Sequence, residues 1–538
     1  MRFQPLAIAV AAIALLNSCA SLAPFAPDMN ARTPKLEGYG RSDIAITTKS
    51  AEARALFNDG VLQAYAFNES AAVRSFKAAL AKDADCAMCA WGVAWQLGPN
   101  INDHDRDKVA DAVKYVGYAL AHLEGKTPRE RALVESLALR YAHDSKKRET
   151  APLTAERCAG QGAEQDKIHP LDEAYADVLR KLVVAYPDDP EILSLHAEAE
   201  IIATPGDNPW DKEGKPAGRL GAVADRLEKL LDKYPQHTGL NHYMVHVLDA
   251  SSVAQRAVPA ADRLAKLAPA SPHLLHMPAH TYINVGRFDD AWRLNVAAVA
   301  ADRNLSDTEK AQGFESSKDW RWHNGHFLWY SALVAGQEKV ALDATDTLVE
   351  VMKGEDSNLA EYARSLRLVT LIRFERWDAV LAQPQPSGER GMAKAWYLFA
   401  RGVAQARLGR GDEAKATFAE LAPHAAQVRE KNATRKRTVS MMDYSTARME
   451  GELALSRGDM DAAVAAFSKA ADAATNADSN EPPMLGDMAR TMLGDLQAKA
   501  GRWADAEASY RKALAERPGH PQAQRGLREA LAAQKKSA

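Results

Sequence analysis

The sequence predicts an all-α fold in which helix pairs stack side by side into a solenoid. Three observations carry that expectation. Ala dominates almost every segment and only 7% of the residues are aromatic, which favours helix over sheet. From about residue 50 onward amphipathic patterns of helical period follow one another, punctuated by Gly and Pro, with no run of strand alternation. A frame of small residues also returns along the chain, as it does in repeat proteins. The bulk composition agrees. The 538 residues carry 68 Lys+Arg against 71 Asp+Glu, are 46% hydrophobic and include four cysteines. That is an ordinary globular balance, without the basic excess of a nucleic-acid binder and with too few thiols for a disulfide scaffold.

The first element is an address. Met1-Arg2 gives a positive start, and Leu6 to Leu16 is an apolar run of 11 residues, too short to span a bilayer and of signal-peptide length. It ends in Leu16-Asn17-Ser18-Cys19, similar to a bacterial lipobox. The expectation is a lipoprotein leader over 1–19 with Cys19 lipidated, outer-membrane sorting from Ala20, and a periplasmic body held by a lipid anchor instead of a transmembrane helix. Ordinary cleavage after Ala20 is the other route. Residues 20–48, with Pro24, Pro27 and Pro34, read as a tether.

The repeats follow. Thr127-Pro128-Arg129-Glu130 is a capping box with Pro at the first helical place. Leu493-Gly494, Gly501, Ala506, Tyr510, Ala513 and Pro518 stand at the spacing of the tetratricopeptide repeat (TPR). The frame recurs at Gly451, Gly458, Ala463, Phe467, Ala470, at Gly402, Gly409, Ala414, Phe418, and at Gly60, Ala72, Phe76, Ala79. One helix pair cannot bury its own apolar face, so such units stack into a right-handed superhelix. The expected organisation is N-terminal TPR-like repeats over 49–202, an inserted loop over 203–220, histidine-bearing repeats over 221–350 and C-terminal repeats over 351–538. Further insertions are expected near 143–168, 303–319, 424–440 and 473–486.

Histidine register carries the functional reading. Seven of the 15 histidines lie between His242 and His326, where an even spread would put about two. His242 and His246 are four apart on one helix, and His276 and His280 repeat the pair 34 residues later. With Gly286 and Gly336 taken as equivalent turn glycines, the fifth place of helix A reads His242, His276, His326 in successive repeats. The ninth place reads His246, His280, Tyr330, and the second reads Gly239, His273, His323. One repeat earlier the ninth place is Glu198. These places share one helix face, expected to be the concave groove.

Neutral imidazole is the commonest metal ligand, so the expectation is a site for zinc, copper or iron. Its ligands would be His242, His246, His276, His280 and His326, with His273 and His323 as the weaker candidates. Their number allows more than one ion. Glu198 is the expected ligand or general base. If the chain is an enzyme, a metal-dependent hydrolase or oxidase acting on a small molecule or peptide in the groove is expected. The alternative is an envelope scaffold that binds peptide or protein without metal or catalysis. His242-Tyr-Met-Val-His246 and His276-Met-Pro-Ala-His280 lack the Glu that follows the first His of zinc proteases. Pro278 is expected to kink its helix, aiming His280 differently from His246. Cys86-Ala-Met-Cys89 has no His after it, which excludes c-type haem. A structural disulfide fits, between those two or from either to Cys158. Trp91, Trp95, Trp320, Trp322 and Trp329 read as groove lining or helix packing.

The chain resembles a family of exported bacterial TPR proteins usually named only for the repeat. The matching stretches are Tyr65-Ala66-Phe67-Asn68, Ala90-Trp91-Gly92, Leu97-Gly98-Pro99-Asn100-Ile101-Asn102, Asn241-His242-Tyr243, His276-Met277-Pro278-Ala279-His280-Thr281-Tyr282-Ile283 and His323-Asn324-Gly325-His326-Phe327-Leu328. Glu481-Pro482-Pro483 matches as well, although Met484-Leu485 follows where the family continues with aromatic residues. The resemblance covers most of the chain after residue 50. It implies the fold and no established reaction.

Overall fold

A computed structural model describes residues 25–102, 106–141, 168–204, 210–211, 214–216, 218–249, 251–316, 320–477, 482–485 and 488–535. Cys19 and its leader, Cys158 and nearly all of the 143–168 insertion lie outside them. The described chain is helical, apart from an isolated bridge between Trp210 and Pro216. Its helices alternate as A–B pairs: Ala51–Tyr65 with Glu69–Lys82, Ala87–Gln96 with Val109–Ala121, and so on to Met488–Lys499 with Trp503–Glu516. A last helix, Pro521–Ala533, follows. This is a TPR-type α-solenoid. No described helix is long and apolar enough to cross a membrane.

The small-residue frame has a direct packing cause. A Cβ on Gly60 would come within 2.7 Å of the Phe76 ring, and one on Gly92 within 2.5 Å of it. One aromatic of helix B is thus wedged between the glycine of its own helix A and that of the next, each 16 residues away. Tyr510 sits the same way between Gly494 and Gly526, at 2.6 and 2.3 Å from the added atoms, and Phe467 rests on Gly451 at 2.4 Å. The Gly402 frame differs, because the Met449 thioether at 2.7 Å fills the space expected for Phe418.

The short A–B turns close with the same bond, an N–H just past a left-handed residue donating back to the last turn of helix A, as in Gln337 to Ala332 O, Arg410 to Gln405 O, Asp459 to Ala454 O and Arg502 to Gln497 O. Gly336, Gly409, Gly458 and Gly501 supply the positive φ, as the Schellman motif requires. Two turns place a bulkier residue there, Phe67 (φ 50°) and Glu375 (φ 55°).

The chain forms two compact units, one within Met1–Leu275 and Arg303–Asp319, the other within His276–Asp302 and Trp320–Ala538. The block expected over 221–350 is therefore divided between them. The helix Phe288–Ala311 contributes to both. Its later turns join the first unit, where the buried Glu309 carboxylate pairs with Arg74 at 2.5 Å and the Gln312 side chain accepts from Lys35 N at 2.8 Å.

Three other expectations are corrected. The described part of the 20–48 tether packs against the first unit: Tyr39 and Ile46 are buried, Thr47 N donates to Glu130 at 2.5 Å, and Ala270 N donates to Gly38 O. The 303–319 insertion begins as continued helix to Ala311. In the 424–440 insertion, helices run through Lys431 and resume at Lys436, since Ala, Gln, Arg and Lys are good helix formers even in a basic segment. The Thr127–Glu130 capping box forms as expected, with Glu130 N donating to Thr127 Oγ1 at 3.2 Å and Thr127 N to Glu130 Oε2 at 2.9 Å. Cys86 and Cys89 form a disulfide with each other.

Candidate metal centre

The helix Thr238–Val247 presents His242 and His246, and its start is anchored. His237 caps it, with Nδ1 accepting from Leu240 N at 3.0 Å and Nε2 against Glu191 Oε1 at 2.9 Å. Asn241 Nδ2 donates to Pro235 O and His237 O, both at 2.9 Å. His242 Nε2 lies 3.0 Å from His246 Nε2 and 3.0 Å from the Nε2 of His273 on the next A helix. His242 and His273 are buried. Phe67 packs on all three rings, at centroid distances of 4.7 Å from His242, 5.4 Å from His246 and 4.7 Å from His273.

A second triad repeats the arrangement in the other unit. Helix A is broken at Met277 into Pro272–His276 and Pro278–Asn284, because Pro278 has no N–H to give to Leu274 O. The helix breaks as expected, and the pair stays together across the break: His276 Nε2 and His280 Nε2 are 2.8 Å apart. His323 joins them, its ring 4.6 Å from that of His276 and 5.7 Å from that of His280. Phe327 packs on all three, at 4.5, 4.4 and 5.0 Å. Asn295 Nδ2 is committed to Ala291 O at 2.9 Å, so its Oδ1, 2.8 Å from His276 Nδ1, accepts from that nitrogen. The proton on Nδ1 leaves the Nε2 lone pair facing His280.

In each triad the three ligand atoms lie within 4.8 Å of one another. Nitrogens about 3 Å apart form the edge of a coordination polyhedron with metal–nitrogen bonds of about 2.0–2.1 Å. Both triads obey one rule: the fifth and ninth places of one repeat meet the second place of the next. Sequence register alone aligns the fifth places His242, His276 and His326 and leaves His273 and His323 as the weaker candidates. They are the residues that complete the triads.

His326 is the consequence of the same rule. Its ninth-place partner is Tyr330 and the next second place is Tyr362, whose hydroxyl is 3.0 Å from His326 Nε2. The Tyr362 hydroxyl donates to Met484 O at 2.7 Å, so the loop after Pro483 reaches this group through its backbone, whatever side chain stands there. Trp329 stacks on His326 at 5.5 Å and 5°. Burial, with Arg437 nearby, pushes the His326 pKa down to about 3. Its described neighbours include no second histidine, and it stays outside both triads.

Glu198 also stands apart from the histidines. Its Oε2 accepts from Trp95 Nε1 at 3.1 Å, the Tyr243 hydroxyl is beside it, and burial raises its pKa while Arg140 opposes the rise. Glu198 belongs to neither triad. The second place of the next repeat is Gly239, where a Cβ would meet Ser194 Oγ at 2.9 Å and the Tyr65 ring at 2.7 Å. Trp91, Trp95, Trp320 and Trp329 are buried packing residues. Phe67, Phe327 and Asn295 were missed as neighbours of the histidines. The quoted stretches Tyr65-Ala66-Phe67-Asn68 and His323-Asn324-Gly325-His326-Phe327 contained the two rings, but nothing in the sequence marked Asn295.

No family model matches the chain, and no curated protein does. Solved structures similar to it are helical-repeat proteins. Cut9 in the APC/C Cut9–Hcn1 hetero-tetramer complex structure is 14% identical, covering 89% of this chain and 76% of that one at a TM-score of 0.31. Yeast Tom70 is 12% identical over 90% of each chain at 0.32. The TPR domain of P58(IPK) is 12% identical, over 90% of this chain and 99% of its own, at 0.21. With TM-scores this low, these structures bear on neither the triads nor their chemistry.

Proposed function

We propose that this TPR solenoid holds transition-metal ions through its two histidine triads, one ion at His242, His246 and His273 and one at His276, His280 and His323. The observation that carries this reading is the duplication: two sets of three imidazoles that share no residue, built by the same rule, each converging through ring nitrogens and walled by a phenylalanine. Packing alone has no reason to repeat that. Imidazole suits zinc, copper or iron. Three protein ligands leave a position open, and an ion held so would supply Lewis acidity or a water of lowered pKa. Hydrolase or oxidase chemistry on a small molecule or peptide would use that position. Glu198 is left out of the reading because it is sequestered.

The chain is further proposed to be exported and lipidated at Cys19 as a periplasmic, outer-membrane-anchored protein; the Cys86–Cys89 disulfide fits an oxidising compartment.

Elemental analysis of the protein purified from the periplasm and reconstituted with zinc, copper or iron should give two ions per chain. His242→Ala/His246→Ala and His276→Ala/His280→Ala should each leave one. Asn295→Ala should weaken only the second site, by about 10- to 100-fold as is usual for partners of ligating imidazoles. A wild-type chain that takes up no stoichiometric metal, with no change in melting temperature, would leave the metal-free peptide-binding scaffold as the reading.

A further inference from the structure

The second unit holds a cavity of about 580 Å³ between the turns at Gly286 and Gly336, the end of the helix Asn358–Arg373 and the start of Pro521–Ala533. Its charged lining is Arg287, Arg373 and Arg525 against a single acid, Asp289. That acid is already engaged, accepting from Trp292 Nε1 at 3.0 Å with Arg293 at 3.5 Å. Arg287 is also engaged, by Asp290 at 2.7 Å. Arg373 and Arg525 have no carboxylate within 4.0 Å among the described residues.

Arg373 is the telling residue. Its Nε is buried with no hydrogen-bond partner among the described residues, and its only side-chain bond is a long one, 3.4 Å, to Gln522 Oε1. Burial depresses its pKa, and the charge of Arg525 adds to the effect against the opposing Asp495 and Glu375. The Asp495 carboxylate is occupied elsewhere, by the Tyr510 hydroxyl at 2.7 Å and Gln522 Nε2 at 2.6 Å. Two guanidinium groups held near one another with no carboxylate bonded to either repel, and a buried N–H left unmade is costly. The first turns of the helices Phe288–Ala311 and Pro521–Ala533 also line this cavity; in the latter Pro521 has no N–H and Ala523 N donates to His520 Nδ1 at 3.4 Å, so the charge facing the cavity is that of the arginines.

We propose that this cavity binds a small molecule bearing an oxyanion, a phosphate or carboxylate group, clasped by Arg373 and Arg525. Guanidinium forks match the paired oxygens of either group, and the volume leaves room for the rest of a small ligand. The site shares no residue with the histidine triads and does not depend on a metal.

Calorimetric titration of the full chain with inorganic phosphate, glycerol 3-phosphate and citrate, at constant ionic strength set with chloride, tests this. At least one probe should bind, and Arg373→Gln or Arg525→Gln should weaken it by about ten-fold or more, the range of a charged hydrogen bond. Arg525 is exposed, so its variant reads the site even if Arg373→Gln fails to fold. Phosphate probes binding alone would assign a phosphate ligand, and citrate alone a carboxylate. No probe exceeding the chloride response, or affinity unchanged in both variants, would overturn the proposal.

Discussion

His326 shows how one side chain's surroundings decide its chemistry. It stands in the same repeat place as His242 and His276, but its partners are a phenol and two indoles, so it stays neutral and dry. With the folded pKa near 3 and an unfolded value near 6.5, the unfolded chain binds the extra proton between those limits. Stability therefore falls as pH drops through that window, by up to about 1.4 kcal/mol per pH unit from this group. Urea unfolding midpoints measured from pH 7 down to pH 4 should show that loss, and His326→Gln should flatten the slope. An unchanged slope in the variant would mean that other groups dominate acid unfolding. At this scale the sequence was informative about which residue types converge, because histidine register is visible in spacing alone. It was silent on Asn295, whose contact with His276 depends on how a long B helix lies across the preceding A helix.

At the scale of the helix pair, the left-handed closing residue of each turn is where sequence and structure separate. Glycine takes that place at no steric cost in most of these short turns, whereas Phe67 and Glu375 bear a penalty on the order of 1 kcal/mol. The two differ in what is gained. Glu375 is exposed, so Glu375→Gly should stabilise the chain by up to about 1 kcal/mol. Phe67 is buried against three imidazoles, and losing its ring should cost about 3–5 kcal/mol, so Phe67→Gly should destabilise by a net of about 2–4 kcal/mol. Denaturant titration of both variants checks the pair, and equal signs would refute the distinction. The helices themselves were legible because Gly, Pro and the aromatic of each repeat fix their ends and crossings. The packed segment before residue 49 was not, since its hold comes from remote partners such as Glu130 and Ala270, and proline content alone suggests a loose linker. Insertions near 303 and 424 were overestimated for a related reason: polarity of a helix surface resembles polarity of a loop.

Over the whole molecule, the pairing rule across joints was the step that spacing could not supply. Reading the fifth places together assumes that equivalent residues of adjacent repeats meet, whereas the stagger of neighbouring helices brings a second-place residue to them. The C-terminal end of the second unit shows a comparable long-range dependence. Gly519 and Gly286 meet backbone to backbone, with a Cβ on Gly286 only 2.6 Å from Gly519 Cα, and both have positive φ. Backbone on both sides cannot yield. Gly519→Ala should thus cost about 2 kcal/mol or more and loosen the last helix, measured as faster amide exchange over 521–533 with little change in the first unit. Protection that stays at wild-type levels would show that the last helix is held by the Tyr510 cluster alone.

The wedged aromatics bear on how such a chain would respond to force. A ring shared by two glycines is found whole at the two extremes of the described array, Gly60–Phe76–Gly92 and Gly494–Tyr510–Gly526, whereas the residue 16 beyond Phe467 is Pro483 and that second clamp is missing. Linear stacks ordinarily unravel from their ends, where each unit has only one neighbour. Here the firmest joints are terminal. Under tension every joint of such a series carries the same force, so yielding would begin at the interrupted interior repeats that carry the histidines and not at the ends.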